Sequence, residues 1–319
     1  VIKIGIIGAG GIAGHHVKKF SSMPDRCRIV AIADPVEAAV KKLADEACAK
    51  PFSKFNDFLS EVDAVIIGSP NFLHPEQTIA CAQAGKHVWC EKPMALEDAD
   101  AARMVAAVEK AKVTSFVGFS VRFDAQQVKM KEIYDSGVLG TPISIWSRRL
   151  SYFEPVAASS WRFQYDKSGG VMSELTAHEI DWMVHTSGDP RAVYCRKASR
   201  QHNDPRENDH LWITFDFGPE YTGTIEGSMM APIADYYRGI VGTEASVYTT
   251  HWGGKLQLKK VKGDPDDLEL PPAFNKHQHF LDVIEGKCAN VADLKWGEKI
   301  VNISNKAIAS AVSGQVVKI

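Results

Sequence analysis

Through residues 1–120, short apolar runs alternate with alanine-rich stretches. Residues 2–7, 28–33, 62–68, 87–90 and 114–119 read as strands, and residues 76–84 and 97–112 carry helical patterning between them. Strands separated by helices predict parallel βαβ units in a doubly wound sheet. Beyond residue 121 the pattern changes. One helix covers 126–136, a turn follows at Gly137 and Gly140, and strands of mixed alternation fall at 143–146, 211–217, 222–229 and 245–250. Such a run predicts an α/β domain with a large, mostly antiparallel open sheet. A short helix over 173–185 is introduced by Ser168-Gly169-Gly170, and from Ala273 helical spacing returns with Phe280, Val283, Ile284, Ile300, Ile303, Ala307 and Ile308. The polar stretches 202–209 and 263–267 read as solvated connections. At 319 residues the chain is long enough for two cores, and the change of pattern sets domains at 1–120 and 121–319.

The turn after the first strand narrows the first domain to one type of ligand. Gly8-Ala9-Gly10-Gly11-Ile12-Ala13 separates that strand from a helix. In such a turn the first glycine bends the chain tightly, the second lets the backbone approach a pyrophosphate, and a small third residue lets helix and strand pack closely. The next strand ends at Asp34, where a carboxylate can accept from the ribose hydroxyls of an adenosine. The pair predicts a Rossmann domain that takes NAD through Gly8, Gly10, Gly11, Ile12 and Asp34. Pro35 follows Asp34, so no arginine is at hand to hold a 2′-phosphate, and NAD is expected over NADP. An ordinary glycine turn with Asp34 capping a helix is the competing reading.

Charge and cysteines bound the partners. Lys plus Arg number 37 against 39 Asp plus Glu, a net charge of -2, which gives no global field toward nucleic acid or membrane and points to a small-molecule partner. Cys27, Cys48, Cys81, Cys90, Cys195 and Cys288 show no metal-finger spacing, so a reducing cytoplasm is expected and no metal. No charged leader with an apolar core opens the chain, so neither a signal nor a membrane segment is expected.

In doubly wound sheets ligands bind outside the carboxyl ends of strands, which draws attention to Ser69-Pro70-Asn71, His74 and Glu91-Lys92-Pro93. A lysine at position 92 can stabilise alkoxide character near a nicotinamide, or it is a solvated surface residue. Glu174, His178 and Asp181 fall at i, i+4 and i+7 of one helix, so Glu174 and His178 can form a dyad on one face. A carboxylate fixes the imidazole tautomer, and an imidazole exchanges protons near neutrality. The same spacing also suits a purely structural pair, and Asp181 reads as a structural partner. His15 and His16 are expected to pack or cap around the first helix, and His277 and His279 to lie at a surface or interface. Substrate-facing candidates are Arg122, Tyr152, Phe153, Tyr236, Tyr237 and Arg238, because aromatic faces cover C–H surfaces and arginine forks hold hydroxyl or acidic groups.

These motifs, in order and spacing, resemble the glucose-fructose oxidoreductase and inositol dehydrogenase family over nearly the whole chain. The matching stretches are the glycine turn with His16, Ser69-Pro70-Asn71-Phe72-Leu73-His74, Glu91-Lys92-Pro93, residues 136–142, Trp161-Arg162, Gly169-Gly170 with Glu174 and His178, and Gly242-Thr243-Glu244. The resemblance implies Lys92 and His178 as the catalytic pair, Asn71, His74 and Glu91 around the nicotinamide ribose with Ser69 beside them, and Trp161 and Arg162 near the cofactor. It further implies that the open sheet joins subunits in a homodimer or homotetramer. Glu174 stands where such dehydrogenases commonly carry aspartate. The expected activity is NAD-dependent oxidation of a ring secondary alcohol of a sugar, sugar derivative or cyclitol to a ketone. The alternatives are an NAD-dependent glycosidase or lyase working through transient oxidation, and a non-catalytic dinucleotide sensor.

Overall fold

A computed structural model describes residues 1–153, 160–199, 209–250 and 254–319. It divides into two units, Val1–Gly118 with Asn275–Val301, and Phe119–Phe274 with Asn302–Ile319. The polar stretch 202–208 lies outside the described residues.

The first unit runs β1 (Ile2–Ile7), α1 (Gly11–Ser21), β2 (Cys27–Ala33), α2 (Glu37–Ala47), β3 (Lys50–Phe52), β4 (Ala64–Ile67), α3 (His74–Gln83), β5 (His87–Cys90), α4 (Asp98–Ala111) and β6 (Ser115–Val117). Its strands pair in the order β3-β2-β1-β4-β5-β6, all parallel. The apolar runs form its interior: Ile4, Ile6, Ile66, Ile67, Val88, Trp89 and Cys90 are fully buried. Strand order reverses between β1 and β4, and the carboxyl ends on either side of that reversal form the crevice in which such sheets bind ligands. Helix α2 was not anticipated. It buries only Val40, Leu43 and Ala44, too sparse an apolar stripe to stand out from its polar surroundings.

The second unit contains α5 (Ala125–Asp135), β7 (Pro142–Tyr152), α6 (Tyr165–Ser168), a π-turn at Met172–Thr176, α7 (Ala177–Ser187), β8 (Ala192–Ala198), β9 (His210–Gly218), β10 (Tyr221–Ser228), β11 (Met230–Gly242), β12 (Ala245–Thr249), β13 (Leu256–Lys260) and β14 (Asp266–Asp267). Helices α8 (Lys276–Ile284) and α9 (Leu294–Ser313) and strand β15 (Val317–Lys318) complete the chain. One sheet of order β14-β13-β12-β11-β7-β10-β9-β8-β15 results. The central pair β7 and β10 is parallel and the remaining pairs are antiparallel. Strand β11 escaped the sequence reading because Pro232 and Asp235 interrupt its alternation, and its pairing with β7 is irregular between Met230 and Asp235. Strand β7 runs past the expected 143–146 through Arg148 and Arg149, charges that partners elsewhere in the unit neutralise.

The sequence reading assigned 275–301 to the second domain; the structure packs it on the first. Ala292 O accepts from Val117 N at 2.8 Å, and Asn290 Nδ2 donates to Ser115 O at 2.6 Å, so this segment covers the open edge at β6. The Phe280 ring adds aromatic contacts to Trp89 and Phe116, at 5.5 Å and 6.0 Å between centroids. Among the described residues no helix is long and apolar enough to cross a membrane.

Candidate active site

At the carboxyl end of β1 the backbone itself forms a cradle. Gly8 has φ of +99°, and a Cβ there would sit 2.8 Å from Gly68 O, so only glycine fits where β1 and β4 part. Around Gly10 and Gly11 the reverse holds: an added Cβ would meet nothing within 4 Å, leaving open space over the start of α1. No side chain caps that helix at Gly10, so its first N–H groups face this space. Asp34 braces the turn, accepting from Ala9 N through Oδ2 and from Val36 N through Oδ1, each at 2.8 Å. A carboxylate offers about four acceptor sites, so Asp34 keeps capacity for ribose hydroxyls after these two bonds. Ile12 is partly exposed beside Gly68. An open backbone cradle, an uncapped helix start and an acidic residue at the next strand end fit a dinucleotide.

The ends of β4 and β5 are tied together by His74. Its buried ring bridges Pro93 O through Nδ1 at 2.8 Å and Ser69 O through Nε2 at 2.9 Å. Ser69 donates to Gln77 Oε1 at 2.5 Å, and Asn71 is buried at the head of the same segment. Lys92, half-buried, follows directly where β5 ends. Glu91 was expected at the ribose; its side chain instead turns inward and is 9% exposed. Trp89 Nε1 donates to Glu91 Oε1 at 3.0 Å, and His16 Nε2 reaches the same oxygen at 3.0 Å. Burial alone would push this carboxyl up, but His16, the Lys276 charge and the Trp89 bond overcome it and hold the pKa down at about 2. Behind His16, His277 Nε2 lies 3.0 Å from His16 Nδ1. Burial, reinforced by His16, Lys276 and His15, pushes His277 down to about 2, so it stays neutral. His277 and His279, expected at a surface or interface, are 2% and 7% exposed, with His277 stacked on Trp89 and His279 against Phe116.

In the second unit His178 opens α7, 8% exposed, its ring 6.3 Å edge-on from Phe119. Glu174 sits one π-turn earlier, where the wider winding alters the i, i+4 geometry of a regular α-helix. Its Oε2 accepts from Arg162 Nε at 3.4 Å, and Arg162 in turn lies over the Trp161 ring at 4.6 Å. Trp161, Arg162 and Glu174 therefore form one cluster beside the helix of His178.

Residues 2–119 match the family described as "Oxidoreductase family, NAD-binding Rossmann fold". Residues 127–248 match the GFO/IDH/MocA C-terminal domain. The chain is 30% identical over 269 residues to 2,7-anhydro-N-acetylneuraminate hydratase of Escherichia coli, spanning 82% of this chain and 69% of that protein. Identity to myo-inositol 2-dehydrogenase of Thermotoga maritima is 32% over 192 residues, or 59% of this chain and 55% of that one. The fold superposes on the crystal structure of the WlbA dehydrogenase from Bordetella pertussis, a complex with NADH and UDP-GlcNAcA, with a TM-score of 0.91 at 24% identity over 100% of this chain and 97% of the other. The chain belongs to the GFO/IDH/MocA oxidoreductase family. It is an NAD-dependent oxidoreductase.

Within this GFO/IDH/MocA chain the substrate-facing candidates separate. Arg122, 3% exposed, spends its fork on Asp181, with Nε donating at 2.9 Å and Nη2 to the other carboxylate oxygen. Arg238 is likewise committed, donating to both oxygens of Glu179 at 2.7 Å and 2.6 Å. Both arginines are internal ion pairs because a buried guanidinium needs a counter-charge. Tyr236 and Tyr237 point to opposite faces of β11, as strand periodicity requires. Tyr237 lies beside Trp146, Arg148 and Trp212 on the face away from α7, while Tyr236 joins Arg149 and Arg238 on the α7 face. Tyr152 and Phe153 are exposed at the end of β7. Glu179, Ser147 and Arg149 were missed. The one available signal was a run of three carboxylates, Glu174, Glu179 and Asp181, in an otherwise apolar helical segment.

Proposed function

We propose that the protein oxidises a ring secondary alcohol of a sugar, sugar derivative or cyclitol to a ketone, reversibly, using residues 1–120 for NAD and the sheet domain for substrate. The observation that carries this reading is an open glycine cradle at the α1 N-terminus with Lys92 emerging from another strand end of the same parallel sheet. NAD, when bound, accepts the hydride. The chain's own groups do the rest. Gly10, Gly11 and the first turn of α1 hold the pyrophosphate, and Asp34 accepts from the adenosine ribose. The C–H bond gives up its electron pair with the hydride, while the hydroxyl proton passes to an imidazole nitrogen of His178. The Lys92 ammonium donates to the same oxygen and offsets its developing negative charge. His74 ties the β4 and β5 ends that carry Asn71 and Lys92, Glu174 supports His178 as its carboxylate partner, and Trp161 and Arg162 are assigned to the cofactor.

Likeness to the E. coli hydratase favours a second reading, in which oxidation is transient and an elimination follows. The two separate on one measurement, accumulation of NADH with a panel of sugars, inositols and anhydrosugars. For the dehydrogenase, Lys92→Met is expected to keep NAD binding and lose roughly 10²- to 10³-fold in kcat. His178→Asn is expected to lose roughly 10²- to 10⁴-fold and to flatten the rise of kcat with pH. Wild-type rates in both variants would remove this mechanism. We further propose a cytoplasmic homo-oligomer joined through the face of the nine-stranded sheet that carries Trp146, Trp212 and Tyr237; sedimentation of the wild type against Trp212→Glu tests it.

A further inference from the structure

Arg149 has a different setting from the other buried arginines of the second unit. It pairs with Tyr236 across β7 and β11, on the sheet face that carries α7. Its Nη1 donates to Glu179 Oε1 at 3.1 Å, and its guanidinium carbon lies 4.7 Å from the Tyr236 ring centroid. Glu179 directly follows His178, so Arg149 is one ion pair from the helix turn that carries the proposed base. That carboxylate is already heavily used. It takes both bonds of Arg238 and the hydroxyl of Ser147 at 2.5 Å. Two guanidinium charges thus share one carboxylate, and Asp124 is a further acid in the field of Arg149.

The consequence is an unfinished hydrogen-bonding edge. Arg149 Nε is buried and has no acceptor among the described residues, although the side chain as a whole retains 16% exposure. A buried donor left unmade costs about 1–3 kcal/mol, which a ligand that completes the bond recovers. Tyr236 lies under both guanidinium groups, at 4.7 Å and 5.2 Å, and restrains the edge in one plane. A planar guanidinium edge matches a carboxylate, with two parallel N–H donors meeting two oxygens. Because Glu179 lies against both guanidinium groups, a single negative charge suits the edge better than a dianionic phosphate.

We propose that Arg149 is a specificity-determining residue that receives a carboxylate of the substrate, making this a dehydrogenase of acidic sugars rather than of neutral sugars or cyclitols. The inference rests on the substrate reading above and narrows it. Burial disfavours the charged form of Arg149, and a carboxylate on this edge restores what burial removes.

Equilibrium titration tests the proposal without requiring turnover. D-glucuronate and D-glucose, then D-galacturonate and D-galactose, are titrated into the full chain loaded with NADH, for the wild type and for Arg149→Gln. Each acid is expected to bind about 10- to 100-fold more tightly than its neutral parent, the range of one charge-assisted bond to a buried partner. Arg149→Gln is expected to bring that ratio close to one. Should it misfold, Arg149→Lys keeps a positive charge for Glu179 while losing the planar edge, and the ratio is expected to fall there too. Equal binding of acid and parent, a preference untouched at position 149, or no binding by either acid overturns the proposal. A preference lost with Arg149 but accompanied by no NADH formation in the NAD-loaded assay leaves the subsite standing and removes the dehydrogenase reading instead.

Discussion

Glu91 in the first unit and Glu179 in the second are both buried, both held ionised near pKa 2, and each adjoins a proposed catalytic residue, Lys92 or His178. Their partners differ in kind. Glu179 is surrounded by Arg149, Arg238 and Ser147, two of them permanently charged. Glu91 relies on Trp89 and on His16, whose partner His277 stays neutral. An ionised carboxylate only accepts, so His16 Nε2 donates to Glu91. The first unit thus stabilises its buried anion with an indole and an imidazole, the second with two guanidinium charges.

The sharpest way to break this contrast is to neutralise each carboxylate. Glu179→Gln strands two buried guanidinium groups and is expected to cost about 3–5 kcal/mol. Glu91→Gln leaves an amide oxygen for Trp89 and a neutral option for His16, and is expected to cost about 1–3 kcal/mol. Urea unfolding of both variants gives the comparison, and similar losses would erase it. A smaller effect comes from Gly118, where an added Cβ would sit 2.4 Å from Glu91 Oε1. Gly118→Ala is expected to cost about 1–2 kcal/mol by pushing Glu91 off Trp89 and His16. The same substitution made in Glu91→Ala should cost distinctly less, and a double-mutant cycle with no coupling would show that the close approach is harmless.

The smallest effect is in pH. His277 is held down to about 2, facing His16, His15, Lys276 and Glu91, against roughly 6.5 in the unfolded chain. Below pH 6.5 the unfolded state therefore binds the extra proton, and the stability contributed by neutral His277, complete above that pH, falls as acid is added. His185 in the second unit, pushed down to about 4 by burial and by Arg122 and Lys131 against Asp135, acts in the same direction over a narrower window. The two glutamates lose their contribution only at lower pH, from about 4.3 down through 2. Melting temperature between pH 7 and 5 is expected to fall less in His277→Gln than in the wild type, with His185→Gln giving a similar flattening there because both folded values lie below pH 5. Parallel curves for all three proteins would place the acid response elsewhere.

Most of the first unit was legible from sequence because its information is local. Strand, glycine turn, helix and acidic strand end are contiguous, and Gly8 and Asp34 state their backbone and charge requirements in place. The parallel order of strands followed from alternation with helices, and the mixed alternation after residue 121 marked the second sheet as mostly antiparallel. What sequence could not determine is which charges meet. His16 finds His277 across 261 residues, Arg149 and Arg238 find Glu179 across 30 and 59, and Arg122 finds Asp181 across 59. An arginine that contacts substrate and an arginine consumed by a buried carboxylate are written with the same letter and flanked by the same apolar strand. Only packing decides between them, because the low dielectric of the interior demands a counter-charge for each buried guanidinium and the tertiary fold selects which carboxylate supplies it.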